Sequence, residues 1–247
     1  ELNCEPTGEF AHNPEPLPEN LTEISAEVVS EKADLGIVVD PDVDRLAFVM
    51  ENGEMFGEEY TLVAVADYVL QHTTGNTVSN LSSTRALRDV TEKAGGKYTA
   101  AAVGEVNVVA KMKETQAVIG GEGNGGVIYP ELHYGRDALA GTALFLTYIA
   151  GRKMKVSELR ATYPDYFISK NKIALRSGIP VQKLFDRVRE AYNEFSILDI
   201  DGLKIDFPDG WVQLRISNTE PVMRIYAEST TLEKAKAYAE KVMELLK

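Results

Sequence analysis

Leu35-Gly36-Ile37-Val38-Val39-Asp40-Pro41-Asp42-Val43-Asp44-Arg45-Leu46-Ala47-Phe48-Val49-Met50 is the stretch that sets the architecture. Its continuously apolar start, ending at Val39, reads as a short buried strand of the parallel kind. Leu46 to Met50 reads as a second strand, and Asn52-Gly53 makes a turn after it. Between the strands, Asp40, Asp42 and Asp44 alternate and converge once the loop turns back on itself. They present hard oxygen ligands of the type that suits Mg²⁺ or Ca²⁺. Carboxylates so close together repel one another without a cation. Arg45 adds a fixed positive charge beside them. The carboxyl end of a strand is where open α/β sheets place ligands. A solvated turn is the plain alternative. An EF-hand is excluded: Asp40, Asp42, Asp44 and Glu51 fit its acidic positions, but Arg45 stands where that loop needs Gly, and the flanks are strands.

Outward from this stretch the pattern changes twice. Residues 1–33 open as a loop rich in Pro, Gly, Glu and Asn. A helix should follow, with Asn20 as its cap, Glu23 at the capping-box position, and Leu21, Ile24 and Val28 on one face. From 57 to 165, helices are expected at 60–72, 85–94, 105–115 and 137–151, and strands at 77–81, 98–102, 117–120 and 127–129. Thr84 is placed to cap the second of these helices and Gly95-Gly96 to stop it. Such alternation implies a mostly parallel α/β sheet. Tyr163-Pro164-Asp165 reads as a boundary. Beyond it come a strand at 167–176, an amphipathic helix at 181–195, strands at 203–207, 211–216 and 223–228, and a last helix at 231–246. That order describes an α+β unit.

The 247 residues suffice for one to three domains with a real core. The net charge of −12 excludes a general nucleic-acid binder, which needs a basic face. Cys4 is the only cysteine, so there is no disulfide framework. Without C-x-x-C, and with only His12, His72 and His133, a structural zinc site has no ligand set. The longest apolar run, 139–150, is too short to span a bilayer and contains Thr142 and Thr147. The opening Glu1-Leu2-Asn3-Cys4 has neither initiator Met nor signal pattern, and reads as the start of a fragment.

Two further loops carry chemistry. Gly120-Gly121-Glu122-Gly123-Asn124-Gly125-Gly126 follows a strand and superficially matches a dinucleotide fingerprint. That fingerprint opens a helix, whereas Val127-Ile128-Tyr129-Pro130 follows here. Glycines that let the backbone approach a ligand are the alternative, with Glu122 and Asn124 offering a carboxylate and an amide to sugar hydroxyls. A plain connector is the other. After it, Tyr134-Gly135-Arg136-Asp137 enters an apolar helix, where Asp137 supplies N-terminal charge. Arg215-Ile216-Ser217-Asn218-Thr219-Glu220-Pro221-Val222-Met223-Arg224 is a donor-rich cluster in an acidic chain. Such a nest suits phosphate, with Arg adding bidentate contacts; a simple Ser/Asx turn is the alternative.

In this order and spacing, the three motifs resemble the α-D-phosphohexomutases, a family that includes phosphoglucomutase, phosphomannomutase and phosphoglucosamine mutase. Asp40-Pro41-Asp42-Val43-Asp44-Arg45 looks like the metal loop D-G-D-x-D-R, Gly121-Glu122-Gly123-Asn124-Gly125 like the sugar loop G-E-x-S-G, and Arg215 to Pro221 like the phosphate loop R-x-S-G/N-T-E-P. Ala102-Val103-Gly104-Glu105 resembles the third domain's T-x-V-G turn, and Pro18-Glu19-Asn20-Leu21 a segment just before the metal loop. The resemblance implies an α/β architecture: the end of a second mutase domain with the metal loop at 1–56, a complete α/β sugar-binding domain at 57–165, and an α+β phosphate-binding domain, TATA-box-binding-protein-like, at 166–247. It implies Mg²⁺ on Asp40, Asp42 and Asp44 and a catalytic role for Arg45. It also implies substrate contacts from Glu122, Asn124, Arg215, Ser217, Asn218, Thr219 and Arg224.

The implied reaction interconverts hexose 1-phosphate and hexose 6-phosphate through a phosphoserine and a bisphosphate, in the cytoplasm, without nucleic acid or membrane as partner. The departures are Pro41 for Gly, Asn124 for Ser and Ala102 for Thr. The family's serine loop, T-A-S-H-N-P, is missing: Ala11-His12-Asn13-Pro14 looks like it, but has Ala11 at the serine position and lies in the wrong place. The chain alone is therefore expected to be inactive and to need the N-terminal domains of the same protein. Two other readings compete. A haloacid-dehalogenase-type sugar phosphatase would use Asp40 as nucleophile, but prefers Thr or Val where Asp44 stands and needs a downstream Lys and acidic motif. A non-enzymatic sugar- or cation-binding module would bind without regard to phosphate.

Overall fold

The computed structural model describes residues 1–175, 180–217 and 220–246. The chain divides into two units, Glu1–Ala100 with Gly104–Tyr163, and Ala101–Val103 with Pro164–Lys247.

In the first unit, α1 (Thr22–Ser30) leads into β1 (Leu35–Val39) and β2 (Leu46–Met50), and the acidic loop joins the two strands. They pair antiparallel, Leu35 opposite Met50 and Val39 opposite Leu46. The expected parallel, buried first strand is thus corrected. Only five residues, 41 to 45, separate Asp40 from β2, too few for the crossover that parallel pairing requires. All of β2 is buried, whereas Ile37 and Val39 of β1 are 40% and 41% exposed. The helix start is also corrected. Pro18–Asn20 form a short 3-10 turn, as Pro at its first position favours, and the side chain of Asn20 donates to the carbonyl of Glu15 rather than capping α1.

Next come α2 (Glu58–His72), β3 (Asn76–Asn80), α3 (Ala86–Lys93), β4 (Tyr98–Ala101), α4 (Glu105–Thr115), β5 (Ala117–Glu122), β6 (Gly126–Ile128), α5 (Ala138–Arg152) and α6 (Val156–Arg160). The sheet order is β4-β3-β5-β6; β3 and β5 are parallel, while β5 and β6 form an antiparallel hairpin because three residues connect them. Gly95, at φ +82°, ends α3 as expected, with the Gly96 amide donating to the Thr91 carbonyl. Asp137 caps α5 by accepting from the Ala140 amide at 2.8 Å. Phe48 of β2 stacks on Phe145 of α5 at 3.9 Å, with Phe56 edge-on to both, so the strand after the acidic loop is anchored in the core.

The second unit contains β7 (Phe167–Ala174), α7 (Val181–Ala191), β8 (Ser196–Leu198), β9 (Leu203–Phe207), β10 (Gly210–Ile216), β11 (Val222–Ser229) and α8 (Leu232–Leu245). Its antiparallel sheet runs β7-β11-β10-β9-β8. Leu184 and Val188 of α7 and Ala239 and Val242 of α8 cover Leu203, Ile205, Val212, Leu214 and Ile225. The helix expected to reach 195 stops at Ala191, leaving room for β8; residue 176 of the expected first strand lies outside the described residues. No helix among the described residues is long and apolar enough to cross a membrane.

Phe145→Ala is expected to lower the unfolding free energy of the first unit by about 3–5 kcal/mol, read from chemical denaturation by circular dichroism. In the second unit, Tyr238 and Lys234 donate to the Asp209 carboxylate at 2.5 and 2.9 Å and hold it below the ordinary range. A depressed native value stabilises above the unfolded value and is lost as pH falls through the native one. Asp209→Asn should therefore melt lower than the native chain at neutral pH and converge with it in acid.

Candidate active site

The acidic loop is built around Asp40, which is 2% exposed. Its Oδ1 accepts the backbone N–H groups of Asp44 (3.1 Å) and Arg45 (3.0 Å), and its Oδ2 accepts Nε of Arg45 at 2.6 Å. Burial alone would raise the Asp40 pKa, but the hydrogen bonds and charge of Arg45 outweigh it and hold the carboxyl below its ordinary range. Burial raises Asp44, and the charges of Asp40 and Asp42 add to that against the guanidinium of Arg136. Val43 turns the loop at φ +59°, a strained conformation for a β-branched residue. Its carbonyl accepts from the Ala138 amide at the start of α5, which holds it there.

The resulting geometry gives Asp40, Asp42 and Asp44 one carboxylate oxygen each, all within 4.8 Å of one another. A divalent cation at about 2.1 Å from each oxygen would span about 4.2 Å between opposite ligands. The spacing and the all-oxygen donor set fit Mg²⁺ with a small closure of the loop.

The glycine loop is the tip of the β5–β6 hairpin, not the start of a helix. Gly125, at φ +87°, sits against β2: its carbonyl accepts from the Leu46 amide at 3.1 Å, and a Cβ there would lie 2.2 Å from the Leu46 oxygen. Glu122, at the end of β5, is buried. Its Oε1 accepts from Asn80 Nδ2 (2.7 Å) and the Gly104 amide (3.2 Å), and its Oε2 from Arg136 Nη1 (3.1 Å). Arg136 also contacts Asp44 through Nη2 and lies 3.4 Å from Glu105 through Nε. One guanidinium thus joins the acidic loop to the glycine loop. Oδ1 of Asn124 accepts from the Gly126 amide, shaping the loop from within.

In the second unit, Arg215 and Arg224 are cross-strand partners of β10 and β11 and so share one face. Nη1 of Arg215 lies 3.7 Å from Asp201, and Nη2 of Arg224 lies 3.5 Å from Glu220. Ser217 is buried, and its hydroxyl accepts from the Glu220 amide. Asn218 and Thr219 lie outside the described residues. Arg45 also reaches Glu15 at 3.4 Å, so that, with Asp40 at 2.6 Å and Asp44 at 3.8 Å, three acids surround its side chain. Sequence reasoning missed Asn80, Glu105, Arg136 and Asp201. The Gly104 turn and the Tyr134-Gly135-Arg136-Asp137 segment were visible, but nothing in the chain order pairs them with Glu122 or Asp44.

Three models of the phosphoglucomutase/phosphomannomutase family match the chain: α/β/α domain II at residues 1–53, α/β/α domain III at 57–166 and the C-terminal domain at 170–245. A phosphoglucomutase/phosphomannomutase of Thermococcus kodakarensis is 36% identical over 99% of this chain and 54% of its own length. A probable phosphoglucosamine mutase of Methanopyrus kandleri is 32% identical over 100% of this chain and 55% of its own. The chain therefore spans about half the length of the curated relatives it matches. A crystal structure of a family protein from Burkholderia thailandensis superposes with a TM-score of 0.81 at 29% identity, covering 95% of this chain and 51% of that one.

Asn80 supports the site from beneath, donating to Glu122 and accepting from the Ser83 hydroxyl. Asn80→Ala removes these bonds and the one its Oδ1 accepts from the Ser82 amide, in a buried environment, and is expected to cost about 1–3 kcal/mol of stability in urea unfolding.

Proposed function

The chain belongs to the phosphoglucomutase/phosphomannomutase family, and on that premise we propose that it forms the cation-, sugar- and phosphate-binding part of an enzyme interconverting hexose 1-phosphate and hexose 6-phosphate. The hexose is of the class the relatives' names span, phosphoglucosamine, phosphomannose or phosphoglucose. The convergence of Asp40, Asp42 and Asp44 within 4.8 Å, tied through Arg136 to Glu122, carries this reading.

Asp40, Asp42 and Asp44 would hold Mg²⁺, which when bound neutralises charge on a phosphoryl group in transfer. Arg45 keeps Asp40 ionised and aligned, and adds positive charge to the loop. Glu122 and Asn124 take sugar hydroxyls. Arg215, Ser217, Asn218, Thr219 and Arg224 grip the phosphate that does not react, and that remote grip positions the sugar. The phosphoryl group leaves a serine outside this chain for a sugar hydroxyl, and the sugar's other phosphate returns to that serine. The sequence has no T-A-S-H-N-P serine loop, so this chain binds but does not turn over by itself. A cytoplasmic location, where phosphorylated sugars are retained, is part of this proposal. A nucleophilic Asp40 would need a downstream Lys and a second acidic motif after a strand, and the sequence offers no convincing pair.

Calorimetric titration of hexose 6-phosphate and of the free sugar, each with Mg²⁺, tests the proposal. The phosphorylated sugar alone should bind, and Arg215→Ala should weaken it about 10–100-fold. Binding indifferent to the phosphate would favour a sugar-binding module, and turnover by this chain alone would remove the external serine from the mechanism.

A further inference from the structure

We propose that Arg136 is a positioning residue that sets cation affinity at the acidic loop and couples it to Glu122, a role that rests on the reading of Asp40, Asp42 and Asp44 as cation ligands. The backbone holds Arg136 firmly. It bridges to Ile128 at the end of β6, the next amide (Asp137) donates to the Val127 carbonyl, and its own amide donates to Glu105 Oε1 at 3.0 Å. Its side chain lies across Gly126, where a Cβ would stand 2.4 Å from Cδ of Arg136, so a glycine is needed for it to pass. From that fixed base the planar fork divides. Nη1 takes Glu122 Oε2 at 3.1 Å, Nη2 takes Asp44 Oδ2, and Nε faces Glu105.

Two consequences follow from charge and geometry. Asp44 lends Oδ2 to the guanidinium, while its Oδ1 faces Arg45 Nε at 3.8 Å. A cation drawn to Asp44 meets the Arg136 guanidinium already on Oδ2, so Arg136 is the resident counter-charge against which a divalent ion must bind. Glu122 competes with Asp44 for the same guanidinium, so each governs how tightly Arg136 holds the other. Coupling of this kind is reciprocal. Among the described residues, the other charges at the site include Asp40, Asp42, Arg45 and Glu105, with Glu15 against Arg45 and Glu59 against Gly123.

Mn²⁺ titration of the chain by calorimetry tests this without reference to turnover. Arg136→Met should bind Mn²⁺ about tenfold more tightly than the native chain, since a competing positive charge is gone. Glu122→Gln should weaken Mn²⁺ about fivefold in the native background, by leaving Arg136 wholly to Asp44, and have no effect in the Arg136→Met background. A purely through-space effect of the Glu122 charge would persist in both backgrounds and would overturn the proposal, as would Arg136→Met binding no tighter. Should Arg136→Met fail to melt cooperatively, Arg136→Lys decides in its place. An ammonium lacks the rigid planar fork that meets both carboxylates at once, so the Glu122→Gln effect should shrink there too, and an undiminished effect would overturn the coupling. Failure of the native chain to bind Mn²⁺ would defeat the cation reading itself, an outcome distinct from equal binding by native and variant chains.

Discussion

Carboxylates brought close together in a half-buried space must be neutralised, and the first unit is organised around meeting that demand. Asp40, Asp44, Glu105 and Glu122 share two guanidinium groups, Arg45 and Arg136, together with backbone N–H donors. The donors come from three stretches of chain. The amides of residues 44 and 45 come from the acidic loop itself, that of Gly104 from the turn before α4, and Arg136 from the segment before α5. Burying an ion costs several kcal/mol unless pairing and hydrogen bonding offset it. The positions of α4, α5 and the β5–β6 hairpin are therefore tied to the same charge balance that makes the site chemically capable.

Backbone geometry does the remaining positioning. Gly125 lets the hairpin tip dock on Leu46, and Gly126 gives Arg136 its path. Val43 is the exception. A β-branched residue in the left-handed region is normally avoided, and it persists here because the start of α5 holds its carbonyl. Strain at the middle of the acidic loop coincides with the convergence of the three aspartates.

Much of this was legible in the residues and some was not. The alternation of aspartates after an apolar run located the loop, and the helix over 105–115 was visible in full from its apolar spacing. Turn chemistry marked Asn52-Gly53 and Gly95-Gly96. The direction of β1 was misjudged because an apolar run looks the same in parallel and antiparallel company; the short loop after it was the better guide. The 3-10 turn at Pro18–Asn20 and the three-residue β8 are too short for periodicity to register. Arg136 escaped for another reason. Its partners Asp44, Glu105 and Glu122 lie 92, 31 and 14 residues away, and only the fold brings them together.

The bond between the Leu46 amide and the Gly125 carbonyl joins points roughly eighty residues apart in the chain. Contacts of such range close late in folding, because the intervening loop entropy must be lost before they return anything. The acidic loop is local in sequence, yet its docked form depends on this closure. A peptide containing only the aspartates would have the right ligands without the scaffold that arranges them.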